Sequence, residues 1–170
     1  MSRALVPALV ATLFIVAVQL AVLTNLRVAG VVVMAVWLWP LAVGLSGSTA
    51  LGLIVAGVGG LCVDAHAITP FGLTAVVGGV VAWVAARLGR EGVGDLDSAA
   101  WWVTPILGAI VGLFSPALYV ILGAVVLNFS LWRGSVLDAM WVNAVAFAVF
   151  ARPLAHLGRV VTRLSPAMRR

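Results

Sequence analysis

"LCVDAHAITPFGL", residues 61–73, interrupts the apolar runs of this chain with a carboxylate, a histidine and a Thr-Pro step. On either side the sequence is hydrophobic: Thr49–Val63 runs up to it and Phe71–Ala86 runs away from it. Two apolar segments joined by a short polar turn read as a helical hairpin in a membrane. Thr69 suits the N-cap of the second arm. Pro70 suits its first helical position, where the missing N–H costs nothing.

The same reading extends outward. The chain has 170 residues, 64% of them hydrophobic and 9% charged, with a mean hydropathy of +1.23. A soluble domain is about a quarter charged, so this is an integral membrane protein, and no polar stretch is long enough for a separate soluble domain. The expected organisation is one membrane domain over 1–170, an all-α polytopic protein of six transmembrane helices. The spans are Leu5–Thr24, Val28–Leu45, Thr49–Val63, Phe71–Ala86, Ala99–Leu127 and Leu137–Leu157. Crossing the hydrocarbon core of about 30 Å takes roughly 20 helical residues, so the third and fourth spans are short. The fifth is long and carries Pro105 and Pro116, which points to a tilted, broken helix. Arg3 followed by an apolar run resembles a signal peptide, but the run is too long and lacks a cleavage site, so it reads as a retained first span. Transmembrane strands fit poorly, because the runs lack polar alternation.

All ten basic residues are arginines. With the N-terminus inside, Arg3, Arg87, Arg90, Arg152, Arg159, Arg163, Arg169 and Arg170 fall on the inner side and only Arg27 and Arg133 on the outer side. That asymmetry places both termini in the cytoplasm. The charge therefore reports topology and affinity for lipid headgroups, not for nucleic acid. The segment Leu88–Ser98 reads as a solvated inner loop. The basic tail after Leu157 contacts headgroups or docks a protein.

No phosphate-binding loop, zinc-protease motif, serine-hydrolase elbow or intramembrane carboxylate pair is present. Asp64 and His66 offer a metal two ligands where three or four are needed, and His156 falls on the other side. Cys62 is the only cysteine and reads as core packing. Asn128-Phe129-Ser130 matches the glycosylation pattern but carries no weight. No catalytic, metal or cofactor residues are assigned.

Small residues four apart mark helix-packing faces: Gly52, Ala56 and Gly60 in the third span, Ala75 and Gly79 in the fourth, Gly108 and Gly112 in the fifth. Close backbone approach is a main source of helix association in lipid, and these grooves serve internal packing or a partner. Most tryptophans, Trp101, Trp102 and Trp132 among them, lie near span ends as an aromatic belt. Trp37 and Trp39, beside Pro40, are expected to pack inside. Asp64, at the outer turn, is explained either by a structural ion pair with Arg27 or Arg133 or a hydrated turn, or by contact with a partner.

The glycine-rich ending "GVGGLCVD", the short turn and the opening "TPFGLTA" resemble the hairpin of MreD, the rod-shape-determining membrane protein family. The resemblance continues in Trp39-Pro40 and in the last span, "WVNAVAFAVFARPLAHLGRV", with Asn143 and Arg152 at matching places. The motif positions it carries over are Gly60, Asp64, Pro70, Gly72 and Asn143. It implies a six-helix fold similar to the substrate-binding subunits of energy-coupling-factor transporters. It also implies a non-enzymatic scaffold of bacterial wall elongation without cofactors, whose partners are an MreC-like single-span protein and, beyond it, RodA, the elongation transpeptidase and MreB. The competing expectation is a vitamin-binding subunit of such a transporter, whose pocket needs convergent polar groups. The outer half supplies only Asn25, Asp64, His66, Asn128, Asp138 and Asn143.

Overall fold

Eleven consecutive residues, Ala35–Leu45, form the axis of the molecule, and from Val36 to Leu45 every one is buried. A helix that is apolar all round has no solvent face and belongs in an interior. The other helices supply that interior. The structure is a computed structural model that describes residues 2–28, 30–67, 70–91, 101–126 and 136–163.

In chain order the elements are α1 (Ser2–Val18), a π-helical turn (Gln19–Leu23), β1 (Arg27–Val28), β2 (Val31–Val32), α2 (Ala35–Leu45), α3 (Thr49–Asp64), α4 (Leu73–Glu91), α5 (Val103–Val126) and α6 (Val136–Arg163). Among the described residues the fold is all-helical but for two short antiparallel strands, which pair Arg27 with Val32 and Val28 with Val31. Around α2 the remaining helices follow one another as α1, α3, α4, α5 and α6, with α6 returning to touch α1.

Among the described residues, four segments are long and apolar enough to cross a membrane: Ala4–Leu23, Leu73–Arg90, Val103–Val125 and Val136–Thr162. Three sequence expectations change as a result. The expected second span, Val28–Leu45, is helical only from Ala35; the residues before it form the small hairpin, whose turn contains Gly30 at φ 78°. A helix of this length rises only about 16 Å. The fourth span is not short, because its helix continues five residues past Ala86 to Glu91. The fifth is not broken: α5 runs through Pro116 as one helix of 24 residues.

Most of the small residues predicted as packing faces are where helices meet closely; Gly79 is not, since a Cβ added there would meet only the Leu53 side chain at 3.7 Å. A Cβ added at Gly52 would lie 3.1 Å from the Ala82 Cβ of α4. One added at Gly78 would lie 3.3 Å from Ala56, and one at Gly60 would run into the backbone of Ala75. Across the bundle, a Cβ at Gly108 would sit 2.5 Å from the Phe147 carbonyl oxygen of α6, and one at Gly112 would overlap the backbone of Asn143 and Ala144. The axis itself is gripped the same way. Gly44 lies against Ala82 and Ala85 of α4, and Gly158 of α6 against the Ala42 carbonyl.

Two apolar clusters fill the bundle. One gathers Val36, Trp37, Leu41, Val77, Tyr119 and Phe147 among others, with the Trp37 and Tyr119 ring centroids 5.5 Å apart. The other gathers Ala4, Ala8, Trp39, Val43, Leu51 and Val161. Trp39 adds a buried hydrogen bond from Nε1 to the Thr12 hydroxyl at 3.0 Å, and that hydroxyl donates to the Ala8 carbonyl at 2.7 Å. Trp37 and Trp39 thus pack inside, as expected from the sequence, whereas Trp101 and Trp102 are exposed before α5. Thr69, Asn128 to Ser130, Arg133, most of the Leu88–Ser98 connection and the tail beyond Arg163 lie outside the described residues.

Candidate functional site: a polar layer where the short helices begin

Backbone N–H groups at the start of a helix lack intrahelical partners. Away from water each unsatisfied group costs several kcal/mol. Both α2 and α4 begin in this situation at the end of the bundle that carries the β-hairpin. Buried side chains from neighbouring helices answer it.

Asp64 is the last residue of α3 and is only 3% exposed. Its Oδ2 accepts the amide of Gly72 at 2.9 Å and that of Thr74 at 3.0 Å. The carboxylate therefore caps α4 from across the turn, and its negative charge meets the positive end of that helix. Gly72, at φ 94°, supplies the left-handed residue that lets the chain reverse into α4. The Leu73 amide bonds back to the Pro70 carbonyl at 3.2 Å. Trp37 of α2 completes the arrangement, donating from Nε1 to the Thr74 carbonyl at 3.3 Å. The other oxygen, Oδ1, is buried without a hydrogen-bond partner.

This overturns the ion pair with Arg27, one of the readings expected for Asp64. Its hydrogen bonds go to amides, and among the described residues no ion pair joins it to Arg27, which is exposed on β1. The reason is proximity along the chain: the hairpin brings two unsatisfied amides to a carboxylate eight and ten residues earlier. Arg133 lies outside the described residues. His66 is exposed, with Nδ1 2.9 Å from the Cys62 carbonyl oxygen. No group of three metal-binding side chains occurs among the described residues.

Asn143, 1% exposed on α6, does the corresponding work for α2. Its Oδ1 accepts the Met34 amide at 2.9 Å, immediately before α2, and its Nδ2 donates to the Ala139 carbonyl at 2.9 Å. On the other side stands Gln19, the first residue of the π-helical turn and 2% exposed. Its Nε2 donates to the Val33 carbonyl at 3.0 Å and lies 4.0 Å from the Met34 sulfur. Extended backbone at membrane depth is tolerated where protein surrounds and satisfies it. Gln19 and Asn143 satisfy the residues that lead from β2 into α2.

The predicted site residues thus separate into groups. Gly60, Asp64, Pro70 and Gly72 belong to one α3–α4 hairpin, with Gly60 allowing the close approach of Ala75 that brings the helices together. Asn143 belongs to the α2 junction beside it. Gly52, Ala56, Gly108 and Gly112 are consumed by contacts inside the bundle, which removes them as open grooves for a partner. Arg152 is exposed on α6, nine residues beyond Asn143, and makes none of the hydrogen bonds described for this layer. Sequence reading missed Gln19, Trp37 and Thr74. Gln19 carried a usable signal, as the only amide side chain within the first apolar run. Trp37 and Thr74 carried none, since their roles depend on which helices become neighbours.

Comparison with known proteins finds no matching family model, no matching curated protein and no matching solved structure.

Proposed function

We propose that the protein is an MreD-like, non-enzymatic scaffold of the bacterial wall-elongation machinery, holding an MreC-like single-span protein in the cytoplasmic membrane. Through that partner it acts with RodA, the elongation transpeptidase and MreB. The observation that carries the reading is how Asp64 and Asn143 spend their hydrogen bonds. The polar residues that the resemblance picks out hold the starts of α4 and α2. They shape a rigid body and do not converge on a reacting group.

In this reading all six helices count as membrane crossings, with both termini in the cytoplasm. The arginine asymmetry supports that orientation. The short axis supports the crossing count once its lead-in is included. The helix rises about 16 Å, and the strand residues Val31 and Val32 with the two residues after them lengthen it toward the roughly 30 Å of the hydrocarbon core.

A partner helix needs a surface the bundle leaves open. At Gly57 on α3 an added Cβ would meet nothing within 4 Å, and exposed Leu53 and Leu61 flank it one turn away on either side. Close approach there would bury a partner's backbone against α3. The test compares two substitutions. Gly57→Leu is expected to reduce recovery of the single-span partner while the protein's melting temperature stays unchanged, whereas Gly112→Leu lowers melting and expression. Equal partner recovery from Gly57→Leu and the unsubstituted protein would remove α3 as the contact. A tightly bound vitamin in place of a protein partner would instead favour the transporter subunit.

A further inference from the structure

Gln19 leaves one hydrogen-bonding atom unexplained. Its Oε1 is buried and has no partner, although the great majority of buried polar side-chain atoms in proteins have one. Rotating the amide does not help, because Nε2 must face the Val33 carbonyl, which only a donor can satisfy. Oε1 shares its carbon with Nε2, which lies 3.0 Å from the Val33 carbonyl and 4.0 Å from the Met34 sulfur, and so stands beside the start of α2.

The start of α2 also carries donors. The Met34 amide goes to Asn143 and the Trp37 amide to the Met34 carbonyl at 3.1 Å. The first-turn amides of Ala35 and Val36 have no acceptor within the helix and point back toward the same end. An orphaned acceptor therefore stands beside the positive end of an eleven-residue helix. An anion would suit the amides and be repelled by Oε1. A cation would suit Oε1 and be repelled by the helix. What fits both is a small neutral group that donates and accepts.

We propose that this junction binds an internal water molecule, which donates to Gln19 Oε1 and accepts from the first-turn amides of α2. Water is the choice on size. Gln19 is 98% buried, and the surrounding Leu20, Val33 and Met34 belong to the packed core. A buried water needs two to four polar partners, and the junction supplies them. The water makes the backbone break between β2 and α2 tolerable at membrane depth. The π-helical turn serves to aim Gln19 at it, a use consistent with π-bulges clustering at functional positions. The inference is independent of the scaffold reading.

The test is water–amide cross-relaxation by NMR on the full-length, deuterated protein in detergent micelles. Direct water cross-peaks are expected at the amides of Ala35 or Val36 in the unsubstituted protein and are expected to vanish in Gln19→Met. Absence of those cross-peaks in the unsubstituted protein would overturn the proposal, whatever the variant does.

Discussion

The Asp64 carboxylate and the Thr74 amide meet at 3.0 Å across the α3–α4 turn, so the last residue of one helix caps the next. Removing a capping side chain costs about 1 kcal/mol at an exposed helix. Leaving buried donors unpaired costs roughly 1–3 kcal/mol more. Asp64→Ala is accordingly expected to lower stability by about 2–4 kcal/mol, and Asp64→Asn, which keeps one acceptor, by less. Combined with Arg27→Gln, the losses are expected to add to within about 0.5 kcal/mol, as for sites without contact. Denaturant melts of the unsubstituted protein and of the single and double variants would measure this; a strong coupling to Arg27 would restore the ion pair in place of the cap.

Asn143 offers a parallel case with a built-in rescue. Asn143→Leu leaves the Met34 amide unpaired and is expected to cost roughly 2–3 kcal/mol. Asn143→Asp retains the acceptor toward Met34 and is expected to recover part of that loss. Hydrogen exchange at residues 34–37 should report the difference locally, rising in Asn143→Leu well before the rest of α2 opens. Uniform exchange across the bundle in both variants would mean that Asn143 does not specifically hold this junction.

Glycines divide by what surrounds them. Gly112→Ala forces a methyl into the backbone of α6 at Asn143 and Ala144, and overpacking of this kind costs about 1–3 kcal/mol. Gly57→Ala meets nothing within 4 Å and is expected to be neutral or stabilising by up to about 1 kcal/mol, the usual difference in helix propensity. Thermal melts in the same detergent would compare them. Equal losses at the two sites would contradict the packing described for α5 and α6.

Much of this architecture was legible because lipid imposes simple rules. Apolar runs gave the number of helices, and the four-residue spacing of Gly52, Ala56 and Gly60 marked a face that does meet α4. The second span failed for a physical reason. Valine-rich residues 31–34 are equally apolar as helix or strand, and what keeps them out of the helix is Gly30 before them together with the hydrogen bonds supplied by Gln19 and Asn143. Those side chains are far away in sequence: Asn143 lies 109 residues from Met34. Asp64 stood out as a buried charge, but hydropathy could not tell an arginine partner from the amides of its own hairpin.

The orientation can be checked with an impermeant thiol reagent on intact cells in a Cys62→Ala background. A cysteine replacing Asn25 is expected to react from outside, and one replacing Gly94 only after the membrane is opened. The reverse pattern would invert the topology.

Native mass spectrometry of the protein extracted from its own membranes in mild detergent tests the scaffold most directly. The expected result is a complex with a single-span MreC-like protein that survives transfer to the gas phase, and no small molecule released when the complex is denatured. Recovery of the protein without any such partner, but with a vitamin-sized molecule that dissociates only on denaturation, would contradict it.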